Sequence, residues 1–336
     1  MARRLLLTLL IFLVLLLAGA WIAGTVLSWP HASAVAAPAP PGRDVRLVAS
    51  DGVPIAASYW PGAHTDGPAV LLLHGINNTR GRMRAQALWL NGLGYAVLAI
   101  DFRGHGESGP AERSFGLHEA RDAAAALAFL RRGAPQRRIG LIGISQGGAA
   151  ALLGESGPLP VQAMVLHAVY PDLRTAIVNR IARVTGRSLA RLGEPLLSYQ
   201  SWPRLGVAPA RIAPIEGLRR FQGPVLIVGG TADRDTSLAD SRAMYAAAPG
   251  PKQLWLIAGA DHVAVSIVWT EAYRRRVRAF FAAALGAPGR APWPARPARF
   301  AAARNCDETS LNQAITILHL SPDEAQWIVA LERGSR

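Results

Sequence analysis

Gly143-Ile144-Ser145-Gln146-Gly147 places a serine midway between two glycines. A short apolar run, Ile139–Ile144, leads into it, and a run rich in Ala and Gly, residues 146–154, leads out. This is the pattern of a hydroxyl carried on a sharp strand-to-helix turn. Side chains two residues either side of the serine would collide there, so glycine is required at both positions. A helix that begins at Gln146 directs its positive end, and the Gln146 N–H, at an oxyanion created when Ser145 attacks a carbonyl carbon. A second donor is expected from the N–H of Ile76. It follows His74-Gly75 at the end of the apolar run Ala69–Leu73, a pair read as functional rather than structural, with Gly75 letting the backbone approach the site closely.

These residues need a scaffold, and the chain alternates strand and helix patterns. Residues 45–48 and 55–59 flank Asp51-Gly52, a hairpin signal. Strands are expected at Ala69–Leu73, 95–100, Ile139–Ile144, Ala163–His167, 225–228 and 254–257. Helices are expected at 83–93, 118–131, 146–154, 237–247 and Glu271–Leu285. A hairpin followed by repeated β–α units predicts an α/β fold: a mostly parallel sheet with helices on both faces. Residues 170–223 interrupt that rhythm and read as a small helical cap, with a helix over 177–192. Tyr199 and Trp202, set among leucines and arginines, suggest that the cap supplies an apolar pocket with a basic rim. From residue 287 the chain is rich in Pro, Ala and Arg, and a helix opened by Ser321-Pro322-Asp323-Glu324 is expected near its end.

Asp101-Phe102-Arg103-Gly104-His105-Gly106-Glu107-Ser108 follows the 95–100 strand. Together with His74-Gly75 and the serine pentapeptide, it resembles the α/β-hydrolase superfamily over roughly residues 43–285. The likeness is greatest to bacterial serine-aminopeptidase-like and dienelactone-hydrolase-like members, many of which carry an N-terminal anchor. The resemblance implies that the Arg103 loop braces the serine turn. It also implies an acid in the turn Gly230–Asp233 and a base after the last core strand, where Gly259-Ala260-Asp261-His262 stands. Ser145, Asp233 and His262 then form a triad in the chain order of that superfamily. Asp235 is the alternative acid and Asp172 a more distant one. His167 ends a strand near the site and is expected in the core.

The first 29 residues form a separate unit. Arg3 and Arg4 precede an uncharged apolar run from Leu5 to Trp29, long enough for a hydrocarbon core of about 30 Å. Positive charge ahead of the run places the remainder of the chain outside the cytoplasm. A cleaved signal peptide, cut after Ala20 or Ala34, is the alternative. Residues 30–42 read as an Ala/Pro linker, 43–286 as the hydrolase domain with its cap at 170–223, and 287–336 as a tail.

Of the 336 residues, 36 are Lys or Arg against 22 Asp or Glu, and the net charge is +14. The arginines are scattered, without the aromatic clusters or modules of nucleic-acid binders, so no nucleic-acid partner is expected. Cys306 is the sole cysteine, which excludes an internal disulfide and a cysteine metal cluster. No cofactor and no metal are expected. The expected partners are a small-molecule acyl substrate and, through the N-terminal helix, a membrane. The expected function is hydrolysis of a carboxylic ester or related acyl bond through an acyl-enzyme on Ser145. A non-catalytic tethered binding protein on the same scaffold, and a peptidase for short peptides, are the alternatives.

Overall fold

The computed structural model describes residues 1–262, 264, 270–286 and 288. The tail and its expected helix at Ser321 lie outside the described residues. Eight strands form one sheet: β2 (Arg43–Val48), β3 (Pro54–Trp60), β4 (Ala69–Leu73), β5 (Ala96–Ile100), β7 (Ile139–Ile144), β8 (Ala163–His167), β9 (Val225–Gly230) and β10 (Lys252–Ile257). Their spatial order is β10-β9-β8-β7-β4-β5-β3-β2. The hairpin β2–β3 is antiparallel, as is the pair β3–β5, and all other neighbours are parallel.

The sequence explains why the centre is parallel. Ala69–Leu73 and Ile139–Ile144 are apolar throughout and buried at every position. Strands of that kind need cover on both faces, which only β–α–β crossovers provide. One face is covered by α2 (Arg84–Gly92) and α10 (Glu271–Leu285). Tyr273, Val277, Phe280, Phe281 and Leu285 recur at helical spacing and bury one stripe of α10 against the sheet. The other face carries α3 (Glu119–Arg131), α4 (Gln146–Leu152), α8 (Pro214–Arg220) and α9 (Leu238–Ala247). Leu71, Leu72 and Leu73 are fully buried. Each such side chain contributes roughly 1.5–3 kcal/mol from burial.

The cap consists of α5 (Leu173–Thr185), α6 (Arg187–Ser198), α7 (Ser201–Leu205) and α8. The single helix expected over 177–192 is therefore two helices. Gly186 breaks it with φ 78°, a backbone conformation that side chains with a Cβ rarely adopt. The N-terminal helix α1 (Ala2–Ser28) is long and apolar enough to cross a membrane, with a mean hydropathy of 2.9 over its most apolar window.

The Ala/Pro stretch after α1 is extended, as its composition predicts, but it is not a free linker. His31–Ala32 (β1) pairs in parallel with His105–Gly106 (β6), and Trp60 Nε1 donates to the Ala39 carbonyl at 3.1 Å.

The arginine loop also acts differently from expectation. The Arg103 guanidinium bonds Asp51 of the hairpin (2.6 and 2.9 Å) and Asp122 of α3 (2.7 Å), so its hydrogen bonds tie the loop to hairpin and helix rather than to the serine turn. Asp101 accepts from the backbone N–H groups of Arg80 (2.6 Å) and Glu107 (3.0 Å) and pairs with the Arg80 guanidinium. Arg80 is itself buried and bonded to Glu107 at 2.6 Å.

Candidate active site

Ser145 lies between the last residue of β7 and the first of α4, with φ 48° and ψ −114°. This left-handed conformation is strained for a residue with a Cβ. Its neighbours show what the turn demands. A Cβ on Gly143 would stand 2.6 Å from the Gly148 Cα, and one on Gly147 would come within 2.6 Å of the His74 carbonyl oxygen. The two glycines are therefore fixed by close backbone approach. Gly75 also lies against the turn, yet a Cβ there would keep an ordinary 3.6 Å from the Ser145 Cβ. The close approach expected at Gly75 is not needed.

His262 follows β10 and is one-fifth exposed. Its Nδ1 lies 2.9 Å from Oδ2 of Asp233, whose side chain is fully buried. The other Asp233 oxygen accepts the backbone N–H groups of Asp235 and Thr236, each at 2.8 Å. Asp233 is thus aimed from both ends. Asp235 is engaged by other partners: its carboxylate pairs with Arg183 at 3.0 Å and Arg180 at 3.5 Å. Asp172 caps α5, accepting the Thr175 N–H and hydroxyl at 2.8 Å.

Ser145, His262, Ile76 and Gln146 all line one cavity of about 340 Å³ at the carboxyl edge of the sheet. That edge is where ligands bind in open α/β folds. Gln146 is buried, and its side-chain amide finds no hydrogen-bond partner among the described residues. The cap closes the cavity with Ile177, Ile181, Leu197 and Leu205. Tyr199 and Trp202 do not line it; they are exposed on the outside of the cap, which corrects the sequence expectation. One wall was not foreseen at all. Gly24, Val26, Leu27 and Ser28, from the last turns of α1, face the same cavity.

Two histidines near the site have structural partners. His167 is buried in the core, as expected, and its Nε2 lies 3.0 Å from the Tyr273 hydroxyl. His74 is fully buried, with Nδ1 2.7 Å from the Gly75 carbonyl and Nε2 accepting the Phe102 N–H at 3.1 Å. It is a satisfied core residue, which corrects the functional reading of this histidine.

Burial, reinforced by the neighbouring His105 and opposed by the Gly75 carbonyl, pushes the His74 imidazole down to about 3. An unfolded chain protonates this ring below about pH 6.5, while the folded protein keeps it neutral. Between those values the unfolded state holds the extra proton, so stability falls as pH drops. The His74 contribution reaches roughly 2–3 kcal/mol by pH 4.5. Denaturant melts from pH 7 to 4.5 should therefore show a shallower decline for His74→Gln, whose amide can both donate and accept, than for wild type. Equal slopes would remove His74 from the acid sensitivity.

Known proteins share both the fold and much of this sequence. Residues 66–202 match the family model described as serine aminopeptidase, S33. An uncharacterized protein of Mycobacterium tuberculosis is 31% identical over 238 residues, covering 69% of this chain and 75% of the relative. The chain belongs to the α/β-hydrolase superfamily. A second relative of this hydrolase, the uncharacterized protein YqkD of Bacillus subtilis, is 25% identical over 66% of this chain and 73% of its own length. Among solved structures, an esterase of Pyrococcus furiosus superposes with a TM-score of 0.61 at 24% identity. The match covers 77% of this chain and 99% of that one. That likeness extends to the fold.

Proposed function

We propose that this α/β-hydrolase cleaves a carboxylic ester through a covalent acyl-enzyme on Ser145, with His262 as base and Asp233 as its orienting acid. The observation that carries the reading is the carboxylate–imidazole contact of 2.9 Å, with His262 and a strained Ser145 in one cavity. In this mechanism the Ser145 Oγ–H proton passes to His262 Nε2 as the oxygen bonds to the carbonyl carbon. The Ile76 and Gln146 N–H groups hold the resulting oxyanion. The ester C–O bond breaks as His262 returns the proton to the departing alkoxide. Water then repeats the sequence and releases the acid. The neighbouring esterase fold is compatible with this chemistry.

A peptidase reading draws on the description of the family model. An aminopeptidase needs an anion to hold the substrate's amino group. The charged residues lining this cavity are Arg113, Arg180, Arg204, Glu112 and Asp235; Asp235 is already paired with Arg180 and Arg183, and Glu112 lies 3.9 Å from Arg204. The ester reading therefore stands first. Incubation with a fluorophosphonate tests it: one adduct is expected, mapping to the peptide that contains Ser145. An adduct elsewhere, or none, would refute the proposed nucleophile.

The same reading takes α1 as a retained membrane anchor. A cut after Ala34 would discard the turns that wall the cavity and the carbonyls that accept from Gln200 and Arg204, and a cut after Ala20 would discard the Ala20 carbonyl that accepts from Gln200. Arg3 and Arg4 ahead of the apolar run support a hydrolase domain outside the cytoplasm. Alkaline phosphatase fused to the C-terminus should be active in whole cells; a silent fusion beside an active cytoplasmic reporter fusion would reverse the orientation.

A further inference from the structure

Among the described residues, large apolar side chains are not scattered evenly over the surface. Among the described residues beyond Trp29, six stand exposed: Val48, Val184, Leu189, Leu192, Tyr199 and Trp202. Five of them fall in one stretch of the cap. Leu189, Leu192 and Tyr199 recur at spacings of three and seven, which puts them on one side of α6 and its continuation. The buried residues of α6, Ala190, Glu194 and Ser198, form a different stripe. Arg187 and Arg191, on the same helix, are exposed and pair with no carboxylate among the described residues. An apolar stripe flanked by unpaired cations is the composition of a helix lying in a membrane interface.

The position of α1 sets the depth of this face. A hydrocarbon core of about 30 Å takes about 20 residues at about 1.5 Å each. Counted from Leu5, the first residue after Arg3 and Arg4, that length ends at Gly24. The cap grips α1 at this level. Gln200 Nε2 donates to the Ala20 carbonyl at 2.8 Å, and Arg204 donates to the Trp21 carbonyl at 3.0 Å and the Thr25 hydroxyl at 2.6 Å. The Arg204 guanidinium also sits 3.9 Å from the centre of the Trp21 ring. Tyr199 and Trp202 alternate with those gripping residues along the chain, and Tyr and Trp are the residues enriched where hydrocarbon meets headgroups. The last turn of α1, from Gly24 to Ser28, walls the cavity that holds Ser145.

We infer that the outer face of the cap, from Val184 to Trp202, docks on an anionic phospholipid bilayer and sets the cavity at headgroup level, so that the substrate is an acyl ester presented by the membrane. The inference rests on α1 spanning that bilayer and on ester hydrolysis at Ser145. Apolar cap residues enter the interface, Arg187 and Arg191 meet lipid phosphates, and an acyl chain reaches Ile177, Ile181, Leu197 and Leu205 without crossing bulk water.

The test uses the full chain, with Cys306→Ser, in vesicles of phosphatidylglycerol and phosphatidylcholine. An environment-sensitive fluorophore is attached in turn to Leu192→Cys on the cap, Leu13→Cys in α1, and Asp66→Cys at the opposite edge of the sheet. Nitroxide lipids with shallow or deep labels serve as quenchers. Shallow quenching is expected at position 192, deep quenching at 13, and none at 66. Quenching at 13 with none at 192 overturns the docking face while leaving the anchor in place. No quenching at 13 removes the anchor and the docking geometry with it. Protection of position 192 by a second copy, seen as crosslinking in lipid-free detergent, would assign the face to self-association and overturn the inference.

A functional arm separates docking from chemistry. Leu189→Ser combined with Leu192→Ser should slow hydrolysis of a long-chain ester embedded in vesicles at least ten-fold and leave a water-soluble short-chain ester unchanged. Equal loss on both substrates overturns the docking role. Wild-type protein inactive on both esters would refute the proposed reaction, and the quenching pattern would still decide the docking face.

Discussion

Purified Ser145→Ala protein should hydrolyse short-chain esters roughly 10⁴–10⁶ times more slowly than wild type, with a melting temperature within about 2 °C of it. The fold should survive because alanine meets the same strain at φ 48° that serine does. The turn is closed by groups the substitution leaves alone. The Ser145 N–H donates to the His167 carbonyl at 2.8 Å, and the close backbone approaches lie at Gly143 and Gly147. Activity should collapse because, among the described residues, no other side chain lining the cavity carries a hydroxyl on such a turn. The residual rate would report the Ile76 and Gln146 donors and substrate positioning alone. Paired measurement of ester turnover and fluorophosphonate incorporation decides the matter. Undiminished turnover in pure Ser145→Ala would move the nucleophile elsewhere and dismantle the mechanism.

The sheet and the serine turn are legible in the sequence because each rests on a local physical demand. A strand buried on both faces must be apolar throughout, so Ala69–Leu73, Ile139–Ile144 and Ala163–His167 stand out by composition and their bounds emerge unchanged. The spacing of Gly143, Ser145 and Gly147 is dictated by backbone contact within a few residues. The separation of Asp233 from Asp235 is less legible. Both occupy one turn, and only the Asp235 and Thr236 N–H groups, which hold one Asp233 oxygen, settle which carboxylate faces His262.

The cap resists a sequence reading for a different reason. An amphipathic helix announces that one face is apolar, not what covers it. Tyr199 and Trp202 are apolar enough to suggest a pocket lining, but nothing in their spacing says that the cap turns them outward, where they stand exposed. The α1 wall is invisible for a related reason. Nothing local to residues 24–28 indicates that the end of a long apolar helix lines one cavity with Ser145 and His262, a placement held by Arg113 and Arg204 far along the chain. Arg80 escapes notice because a buried arginine gives no periodic signal. It is recognisable only by the carboxylates of Asp101 and Glu107 that surround it.

Asp233→Asn should retain the fold and lower turnover by roughly 10⁴, through the tautomer of His262. One Asp233 oxygen receives two backbone N–H groups and the other faces Nδ1 of the imidazole. An asparagine in that slot keeps its carbonyl toward the two backbone donors, since turning its NH₂ toward them would oppose donor to donor. The NH₂ then points at His262 and requires Nδ1 to accept. The ring proton must move to Nε2, the atom that has to receive the Ser145 proton, and the base is disabled without any loss of packing. Asp235→Asn supplies the contrast. It weakens half-exposed pairs with Arg180 and Arg183 and leaves the imidazole untouched, so turnover should change less than about three-fold. Steady-state kinetics on both variants, with circular dichroism to confirm folding, separates the two carboxylates. A large loss in Asp235→Asn with little change in Asp233→Asn would mean that His262 takes its orientation from the other acid, and the tautomer mechanism would fall with it.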